Sequence, residues 1–293
     1  MRIDLHIHTN LSDGSLSPNE IIDEASKNSV NIIAIADHDT IEAYNDELYV
    51  YAKSKNVKII NAVEISTKID KATVHILGYN FDIDNQMLKQ KLFLLRNARR
   101  DYLYKVADKL KLLGYVLNVD ELEKMEVITK AHIARDVINN SSNRDILLKN
   151  FNYIPSMGEF IEKIMNEGCP AYVKKETLTP KEAAELIRMA GGKVVLAHPV
   201  AYIYEDNFSE DDIVKLINEI EADGIEANYI YVNKENKKIN EVDKWNNFAK
   251  KYNLISTIGS DFHNKDGIRP EIGLINENIT LQDSRIIEII NSI

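Results

Sequence analysis

Short β-rich runs alternate with helical patterns along most of this 293-residue chain, and that alternation sets the fold class. Seven runs have the composition of strands: RIDLHI (2–7), NIIAIA (31–36), KIINAV (58–63), TVHILGY (73–79), KVVLA (193–197), GIEAN (224–228) and LISTIG (254–259). Helical segments follow most of these runs, near residues 18–28, 41–55, 180–190, 210–221 and 234–252. Because strands that alternate with helices are typical of α/β proteins, the sequence predicts an α/β architecture.

Two of the predicted helices have clear start signals. SPNE at residues 17–20 places Ser17 at the cap, Pro18 at the first helical position and Glu20 three residues after the cap. TPKE at residues 179–182 repeats this arrangement. Both helices are therefore expected to begin at these motifs.

One long segment interrupts the alternation. Residues 82–190 separate the fourth predicted strand from the fifth and have mostly helical patterns. The first helix of this segment has an amphipathic stripe of apolar and aromatic residues at positions 88, 92, 95, 102, 106, 110 and 113. The simplest organisation is an α/β core formed by residues 1–80 and 171–293, with an inserted, mainly helical cap at residues 81–170.

Six of the seven histidines lie at or near the predicted strands, together with several carboxylates. His6 and His8 end the first strand, where the side-chain period of two puts both on one side. The other candidates follow this strand or lie at later ones: Asp13, His38, Glu64, His75, His198, Asp261 and His263. In a parallel barrel the carboxyl ends of the strands form one face, so we expect these side chains to share a pocket.

Imidazole and carboxylate side chains together are the ligand set for Zn²⁺, Mn²⁺ or Fe²⁺. About nine such ligands are too many for one ion, but they suffice for two or three ions if one carboxylate bridges. A site of this kind can hold phosphoryl oxygens, lower the pKa of a bound water and stabilise the leaving oxygen. A lone histidine is usually a surface or core residue, whereas the joint pattern at successive strand ends favours a metal-dependent phosphoesterase.

The motifs DLHIHTNLSDG, ADHDT, VEIS, VHILGY, AHP and GSDFH, in this order from residue 4 to residue 263, resemble the polymerase and histidinol phosphatase (PHP) superfamily. The resemblance implies a distorted, roughly seven-stranded (β/α) TIM-like barrel that holds three divalent metal ions, with Mn²⁺ favoured over Fe²⁺ and Zn²⁺. It also implies hydrolysis of a phosphoester by attack of metal-bound hydroxide on phosphorus.

Matching to the motifs of that superfamily also implies a ligand set for each ion. The first set is His6, His8, Glu64 and Asp261. The second set is Asp13, His38 and His263. The third set is Glu64, His75 and His198, with Glu64 as the bridge.

Further acidic residues flank these positions. Asp4, Asp37 and Asp39 either orient the ligating imidazoles or cap the loops that follow the strands. Glu226, in GIEAN, also lies at a strand end, where a structural hydrogen bond and a metal contact are both open.

The predicted cap contains a local excess of positive charge. Residues 89–111 include eight Lys or Arg and two Asp, a net charge of +6. Arg99 falls within the apolar stripe, and Arg96 and Arg100 lie within one turn of it. Arg99 either extends its charged end to water or directs its guanidinium at a phosphate or carboxylate of the substrate.

A second candidate for anion binding lies in the motif KAHIARDV. His132 and Arg135 are three residues apart, and therefore on one face of a helix. Lys174, where the chain returns to the core, is a weaker candidate. The layout is similar to that of a PHP subgroup, the nucleoside 3′,5′-bisphosphate phosphatases, some of which trim short RNA from the 5′ end. KAHIAR departs from the RPHxAR-like motif of that subgroup at Lys130 and Ala131.

The pattern and the resemblance together predict an enzyme that removes a phosphate from a small molecule carrying a second phosphate, most simply a nucleoside 3′,5′-bisphosphate. A 5′→3′ exonuclease on short RNA or DNA is the first alternative, because aromatic residues of the cap are available for base stacking: Tyr102, Tyr104, Tyr115, Phe151 and Tyr153. A histidinol-phosphatase-like enzyme and a non-catalytic PHP-like scaffold are further alternatives.

Composition argues against several other classes of function. The formal net charge of −10 argues against a protein that coats long nucleic acid. No stretch approaches the ~18–20 consecutive apolar residues of a membrane helix, and the start, MRIDLHIH, has no apolar signal region. Cys169 is the only cysteine, which fits a reducing compartment. We therefore expect a cytoplasmic protein without a membrane partner, and the sequence does not indicate its oligomeric state.

Overall fold

The computed structural model describes residues 2–70, 72–123, 128–174, 177–233 and 235–275. Within these ranges it has nine strands: β1 (Arg2–Ile7), β2 (Val30–Ile35), β3 (Lys58–Ile69), β4 (Ala72–Tyr79), β5 (Lys193–Leu196), β6 (Gly224–Asn228), β7 (Ile230–Val232), β8 (Lys238–Asn240) and β9 (Ile255–Ile258). The same ranges contain eleven α-helices: α1 (Pro18–Lys27), α2 (Asp46–Ser54), α3 (Gln86–Leu112), α4 (Val119–Glu123), α5 (Lys130–Asn139), α6 (Arg144–Phe151), α7 (Met157–Phe160), α8 (Pro180–Met189), α9 (Pro199–Glu205), α10 (Glu210–Glu219) and α11 (Val242–Lys251).

Seven of these strands form one mixed sheet, in the order β1-β2-β3-β4-β5-β6-β9. The sheet is mostly parallel, as the sequence predicts, but β4 runs antiparallel to both of its neighbours. The chain reverses direction at this point because β3 continues to Ile69 and β4 begins at Ala72. So short a connection can join only antiparallel strands, since a parallel pair needs a crossover of a dozen or more residues.

The two outer strands of the sheet, β1 and β9, are linked by backbone hydrogen bonds at their carboxyl ends. Asp261 N donates to His6 O at 2.9 Å, and His8 N donates to Phe262 O at 2.9 Å. These bonds bring the segment after β9 beside the segment after β1. Closure of the sheet into a continuous seven-stranded barrel remains a prediction.

Side chains on the two faces of the sheet pack into two apolar layers. Ile33 and Ile35 of β2 pack in one cluster with Ile22 of α1 and Leu48 of α2. The intervening residues of β2, such as Ala34, pack in the other cluster, with residues of β1, β3, β4 and β5. Because both faces are buried, these strands are continuous apolar runs rather than alternating ones.

Helices α1 and α8 begin as the sequence predicts. The side chains of Ser17 and Thr179 each accept a hydrogen bond from the backbone N–H of the glutamate three residues later. The side chain of that glutamate in turn accepts a hydrogen bond from the backbone N–H of the cap residue. The predicted helix over residues 234–252 is wrong in its first half. There β8 pairs with β7 in a small antiparallel sheet, and α11 begins only at Val242.

The chain divides into two compact units, Met1–Phe93 with Thr177–Ile293, and Leu94–Glu176. The second unit has its own apolar core, which includes Leu103, Val106, Ile133, Val137 and Phe160. The predicted domain boundaries at residues 81 and 170 remain predictions. No helix in the described ranges is both long enough and apolar enough to cross a bilayer.

Candidate metal centre

His6 and His8 lie side by side at the end of β1, both fully buried. Their Nε2 atoms are 3.1 Å apart, and Oδ1 of Asp261 lies 3.6 Å from the first and 3.2 Å from the second. Two ring nitrogens can approach this closely when the N–H of one donates to the other or when both face a cation. The HxH spacing thus directs two nitrogens and a carboxylate at one point.

Glu64 is the acidic centre of the cluster and is only 1% exposed. Its Oε1 lies 3.0 Å from Nδ1 of His75 and 3.2 Å from Nε2 of His198. Its Oε2 lies 2.9 Å from Nδ1 of His38 and 3.4 Å from Nε2 of His8. One carboxylate therefore faces imidazoles from four different segments of the chain.

Asp13 brings the loop after β1 into the same cluster. Its Oδ1 lies 3.3 Å from Nδ1 of His8, and its Oδ2 lies 3.3 Å from Nε2 of His263 and 3.6 Å from Nε2 of His38. The loop passes so close to β1 that a Cβ on Gly14 would lie 2.4 Å from the carbonyl oxygen of His8. Gly14 is therefore needed for this close approach.

The direction of β4 explains how His75 reaches the cluster. His75 lies in the first half of β4, which would be far from the carboxyl ends of the other strands if β4 were parallel to them. Because β4 is antiparallel, its first half lies at that end of the sheet, beside Ser66 of β3.

The structure thus brings all nine sequence-predicted ligands into one cluster. Three groups have donor atoms close enough to hold one ion each: His8, Asp13, His38 and His263; His6, His8 and Asp261; His38, Glu64 and His75. His198 belongs to the same cluster because its Nε2 lies 3.2 Å from Oε1 of Glu64 and 3.3 Å from Nδ1 of His75. The groups differ from the implied sets, because His8 and His38 each belong to two groups, Glu64 belongs to one and His198 belongs to none. The assignment of residues to individual ions remains a prediction.

The carboxylates of the cluster are held in their charged form. Burial alone would raise the pKa of Glu64, but the imidazoles of His75, His38 and His6 outweigh it and hold the pKa well below 4.5. Burial lowers the pKa of His8, but the surrounding carboxylates, with Asp13 first, raise it to about 10. The cluster therefore strongly favours positive charge among its members.

Two members of the cluster have strained backbones. The φ angle is 22° at His198 and 51° at Asp261. Residues other than glycine adopt such positive values at a cost of about 1–3 kcal/mol each. His198 N donates to Oε2 of Glu226 at 2.9 Å, which stabilises the first of these conformations. Strain of this kind is concentrated at functional sites.

Glu226 supports the cluster from behind His6. Its two carboxylate oxygens lie 3.1 Å and 3.2 Å from Nδ1 of His6. Since a carboxylate only accepts, Nδ1 carries a hydrogen, and Nε2 is the ring nitrogen that faces the cluster. The structure thus assigns a hydrogen-bonding role to Glu226, one of the two that the sequence left open.

Gly259 allows Glu226 to approach His6 this closely. A Cβ at position 259 would lie 2.1 Å from Oε1 of Glu226 and 2.3 Å from Cβ of His6. Sequence reasoning missed Gly259, since the glycine in LISTIG has no local signal that a side chain 33 residues earlier lies against it.

The three flanking aspartates accept hydrogen bonds from the backbone of neighbouring segments. Asp4 accepts hydrogen bonds from the backbone of Ser260 and Gly273, and Asp39 accepts one from Ser66 N. Asp37 accepts from the backbone and hydroxyl of Thr9 at 2.7 and 2.6 Å and from the Ser12 hydroxyl at 2.5 Å. The contacts of Asp4 and Asp37 match the loop-capping role that the sequence left open, whereas Asp39 holds the backbone of β3.

A pocket opens onto the cluster, so that several cluster side chains can be reached by a ligand. His38, Glu64, His75, His198, Asp261 and His263 line it. Tyr229, Tyr231 and Arg269 line it as well, and sequence reasoning missed these three. The Tyr229 hydroxyl donates to Oδ2 of Asp261 at 3.3 Å and so fixes that carboxylate.

The five predicted substrate residues all lie in the second compact unit. Arg100, Arg135 and Lys174 are exposed. His132 stands at the start of α5, where its Nδ1 accepts a hydrogen bond from Thr129 N at 3.4 Å. Arg99 lies within α3, and its side chain is outside the described part of the structure. A substrate-binding role for these residues remains a prediction.

Comparison with known families supports the resemblance that the motifs indicate. The sequence profile of the PHP domain matches residues 4–235. The chain belongs to the PHP domain family. The predicted enzyme class, a hydrolase that acts on ester bonds, is confirmed.

Relatives of this PHP domain protein have two kinds of name. A 5′-3′ exoribonuclease of Haemophilus influenzae is 31% identical over 267 residues, which cover 89% of this chain and 90% of the relative. A 3′,5′-nucleoside bisphosphate phosphatase of Chromobacterium violaceum is 28% identical, covering 89% of this chain and 87% of the relative.

A solved structure agrees with the fold of this PHP domain. An amidohydrolase from Chromobacterium violaceum, crystallised with sulfate and without metal, matches with a TM-score of 0.66 and 26% identity. The match covers 92% of this chain and 90% of that one.

The residues of this PHP domain fit divalent metal ions. Two pairs of ring nitrogens face each other, His6 with His8 at 3.1 Å and His75 with His198 at 3.3 Å, and ionised carboxylates surround them. Nδ1 of His198 is buried without a hydrogen-bond partner in the described part of the chain. Imidazole and carboxylate donors converging in this way are the ligand chemistry of Mn²⁺, Fe²⁺ and Zn²⁺.

Proposed function

We propose that this protein is a metal-dependent phosphoesterase that removes a phosphate from a nucleoside 3′,5′-bisphosphate. The observation that carries the proposal is the cluster of nine histidine and carboxylate side chains, which opens into a pocket rather than being sealed in the core. The name of the Chromobacterium violaceum relative supports the choice of a bisphosphate as substrate.

Three divalent ions, with Mn²⁺ favoured over Fe²⁺ and Zn²⁺, are the proposed cofactors, and the nine side chains would hold them with Glu64 as the bridge. Bound divalent ions neutralise phosphoryl oxygens and make water at the site more acidic. The chain itself fixes the donors: Glu226 orients His6, and Tyr229 orients Asp261. The ionised carboxylates of the cluster repel the negative charge of a phosphate ester. We therefore expect the ester to bind only when cations occupy the cluster.

A second candidate is a 5′→3′ exonuclease on short RNA, which the name of the Haemophilus influenzae relative favours. The proposed base-stacking residues support it less well. Tyr102, Tyr115 and Phe151 are 4%, 3% and 6% exposed and belong to the core of the second unit, so the expectation that they stack on bases is wrong. Tyr104 and Tyr153 are exposed at 44% and 51%.

The test compares three substrates on one Mn²⁺-loaded preparation: adenosine 3′,5′-bisphosphate, histidinol phosphate and a 5′-phosphorylated oligoribonucleotide. We expect the highest kcat/KM on the bisphosphate, measured by phosphate release, and no release from chelator-treated protein. A higher kcat/KM on the oligonucleotide would replace the proposal with the exonuclease. If no substrate is turned over by metal-replete protein, both candidates are wrong.

The predicted cap residues allow a second test. Replacing Arg99 and Arg135 with Ala is expected to raise KM for the bisphosphate about 10-fold or more, because a charge-assisted hydrogen bond contributes about 1.5–3 kcal/mol. KM for p-nitrophenyl phosphate, which has only the scissile phosphate, should change by less than about 3-fold on the same scale. Equal effects on both substrates would refute a role for these arginines in holding the second phosphate.

A further inference from the structure

The pocket at the metal centre carries little positive charge of its own apart from the cluster histidines. Its lining includes the acidic residues Glu64, Asp261 and Glu205. Among the described residues that line it, Arg269 is the single lysine or arginine. A phosphate group carries about −1.5 to −2 charge near neutral pH, so a substrate with two phosphates needs a second cationic contact beyond the metal ions.

The loop that presents Arg269 is fixed on both sides. Before it, Oδ1 of Asp266 accepts hydrogen bonds from Ile268 N at 2.8 Å and Arg269 N at 2.9 Å. After it, Ile272 is 1% exposed, and Gly273 N donates to Oδ2 of Asp4 at 2.8 Å. A loop held in this way loses little conformational freedom when it binds a ligand.

The guanidinium itself is available to a ligand. Arg269 is exposed, and within the described ranges its guanidinium makes no hydrogen bond or ion pair. Lys265, on the same loop, is by contrast paired with Oε1 of Glu24 at 2.6 Å. Arg269 lines the same pocket as Tyr229, whose hydroxyl contacts Asp261.

We propose that Arg269 is a specificity-determining residue that binds the second, uncleaved phosphate of the substrate. The cluster would hold the scissile phosphate, while the exposed guanidinium meets an anionic group that extends further towards solvent. Its planar fork suits two phosphate oxygens at once. The proposal rests on the proposed phosphoesterase function and places a contact for the second phosphate in the first compact unit, in addition to Arg99 and Arg135 of the second unit.

The test uses the full-length, Mn²⁺-loaded protein and the variants Arg269→Gln, Arg269→Lys and Lys265→Gln. The last variant removes one positive charge from the same loop but not from the pocket lining. Each protein is assayed on adenosine 3′,5′-bisphosphate and on p-nitrophenyl phosphate, and the bisphosphate is also tested as a competitive inhibitor of p-nitrophenyl phosphate hydrolysis. Circular dichroism and metal content verify that each variant is folded and loaded.

For Arg269→Gln we expect KM and the inhibition constant of the bisphosphate to rise about 10- to 100-fold, the effect of losing a hydrogen-bonded charge pair. Its kcat on the bisphosphate and its kcat/KM on p-nitrophenyl phosphate should stay within about 3-fold of the wild type, well below that loss. Arg269→Lys should recover part of the affinity, and Lys265→Gln should resemble the wild type.

Two results would overturn the inference. An equal loss on both substrates would place Arg269 at the scissile phosphate, and no loss on either would leave it without a binding role. If the wild type hydrolyses p-nitrophenyl phosphate but not the bisphosphate, the proposed substrate is wrong, and an unchanged inhibition constant in Arg269→Gln would then reject the inference separately. If the wild type hydrolyses neither, the proposed function and the inference both fall.

Discussion

Replacing Glu64 with Gln is expected to lower kcat/KM on every phosphate ester by about 1,000-fold or more, because several kcal/mol of charge stabilisation at a metal site are lost. Glu64 lies within 3.4 Å of ring nitrogens of His6, His8, His38, His75 and His198. Glutamine keeps the shape of the side chain but is neutral, and its amide nitrogen donates rather than accepts. We therefore expect bound metal, measured by mass spectrometry, to fall together with activity.

The matched control is Glu185→Gln, which neutralises an exposed glutamate of α8. It should keep the activity and metal content of the wild type. Full metal content and activity in Glu64→Gln would contradict the central position that the structure gives to this carboxylate.

Gly259→Ala is expected to damage the same site through packing alone. The new methyl group would overlap Oε1 of Glu226 and Cβ of His6, at 2.1 Å and 2.3 Å, so one of them has to move. Overpacking of this kind typically costs about 1–3 kcal/mol, which for a chain of this size lowers Tm by roughly 5 °C. Loss of the hydrogen bond that orients His6 should also weaken metal binding by about 10- to 100-fold.

Gly158→Ala is the control for this variant, since a Cβ there meets nothing within 4 Å. It should leave both Tm and metal affinity close to those of the wild type. Calorimetry of the metal-free proteins separates the packing cost from the metal effect. An unchanged Tm and metal affinity in Gly259→Ala would show that the contact between Glu226 and His6 is unimportant.

The nine cluster residues could be named from the sequence through the pattern of strand ends and the resemblance to the PHP motifs, and local rules place several of them. The HxH spacing puts His6 and His8 on one side of a strand, and His38 and His263 follow strands whose composition is clear. Parallel strands then bring these ends together. The starts of α1 and α8, at Ser17 and Thr179, could be predicted for the same reason, since a capping box spans only four residues.

Features that depend on distant contacts could not be predicted. The direction of β4 depends on how far β3 continues past Glu64, which composition did not indicate. The role of Glu226 depends on His6, which is 220 residues away in the sequence. Arg269 has no motif of its own, and only the fold shows that its loop lines the pocket.

The most direct test of the central claim is a titration of chelator-treated protein with Mn²⁺, in which bound metal per chain and phosphate release from adenosine 3′,5′-bisphosphate are measured on the same samples. The structure predicts that activity is absent without metal, rises with bound Mn²⁺, and is missing over the same range in Glu64→Gln. Phosphate release that is independent of bound metal, or Mn²⁺ binding that is equal in wild type and Glu64→Gln, would contradict the account.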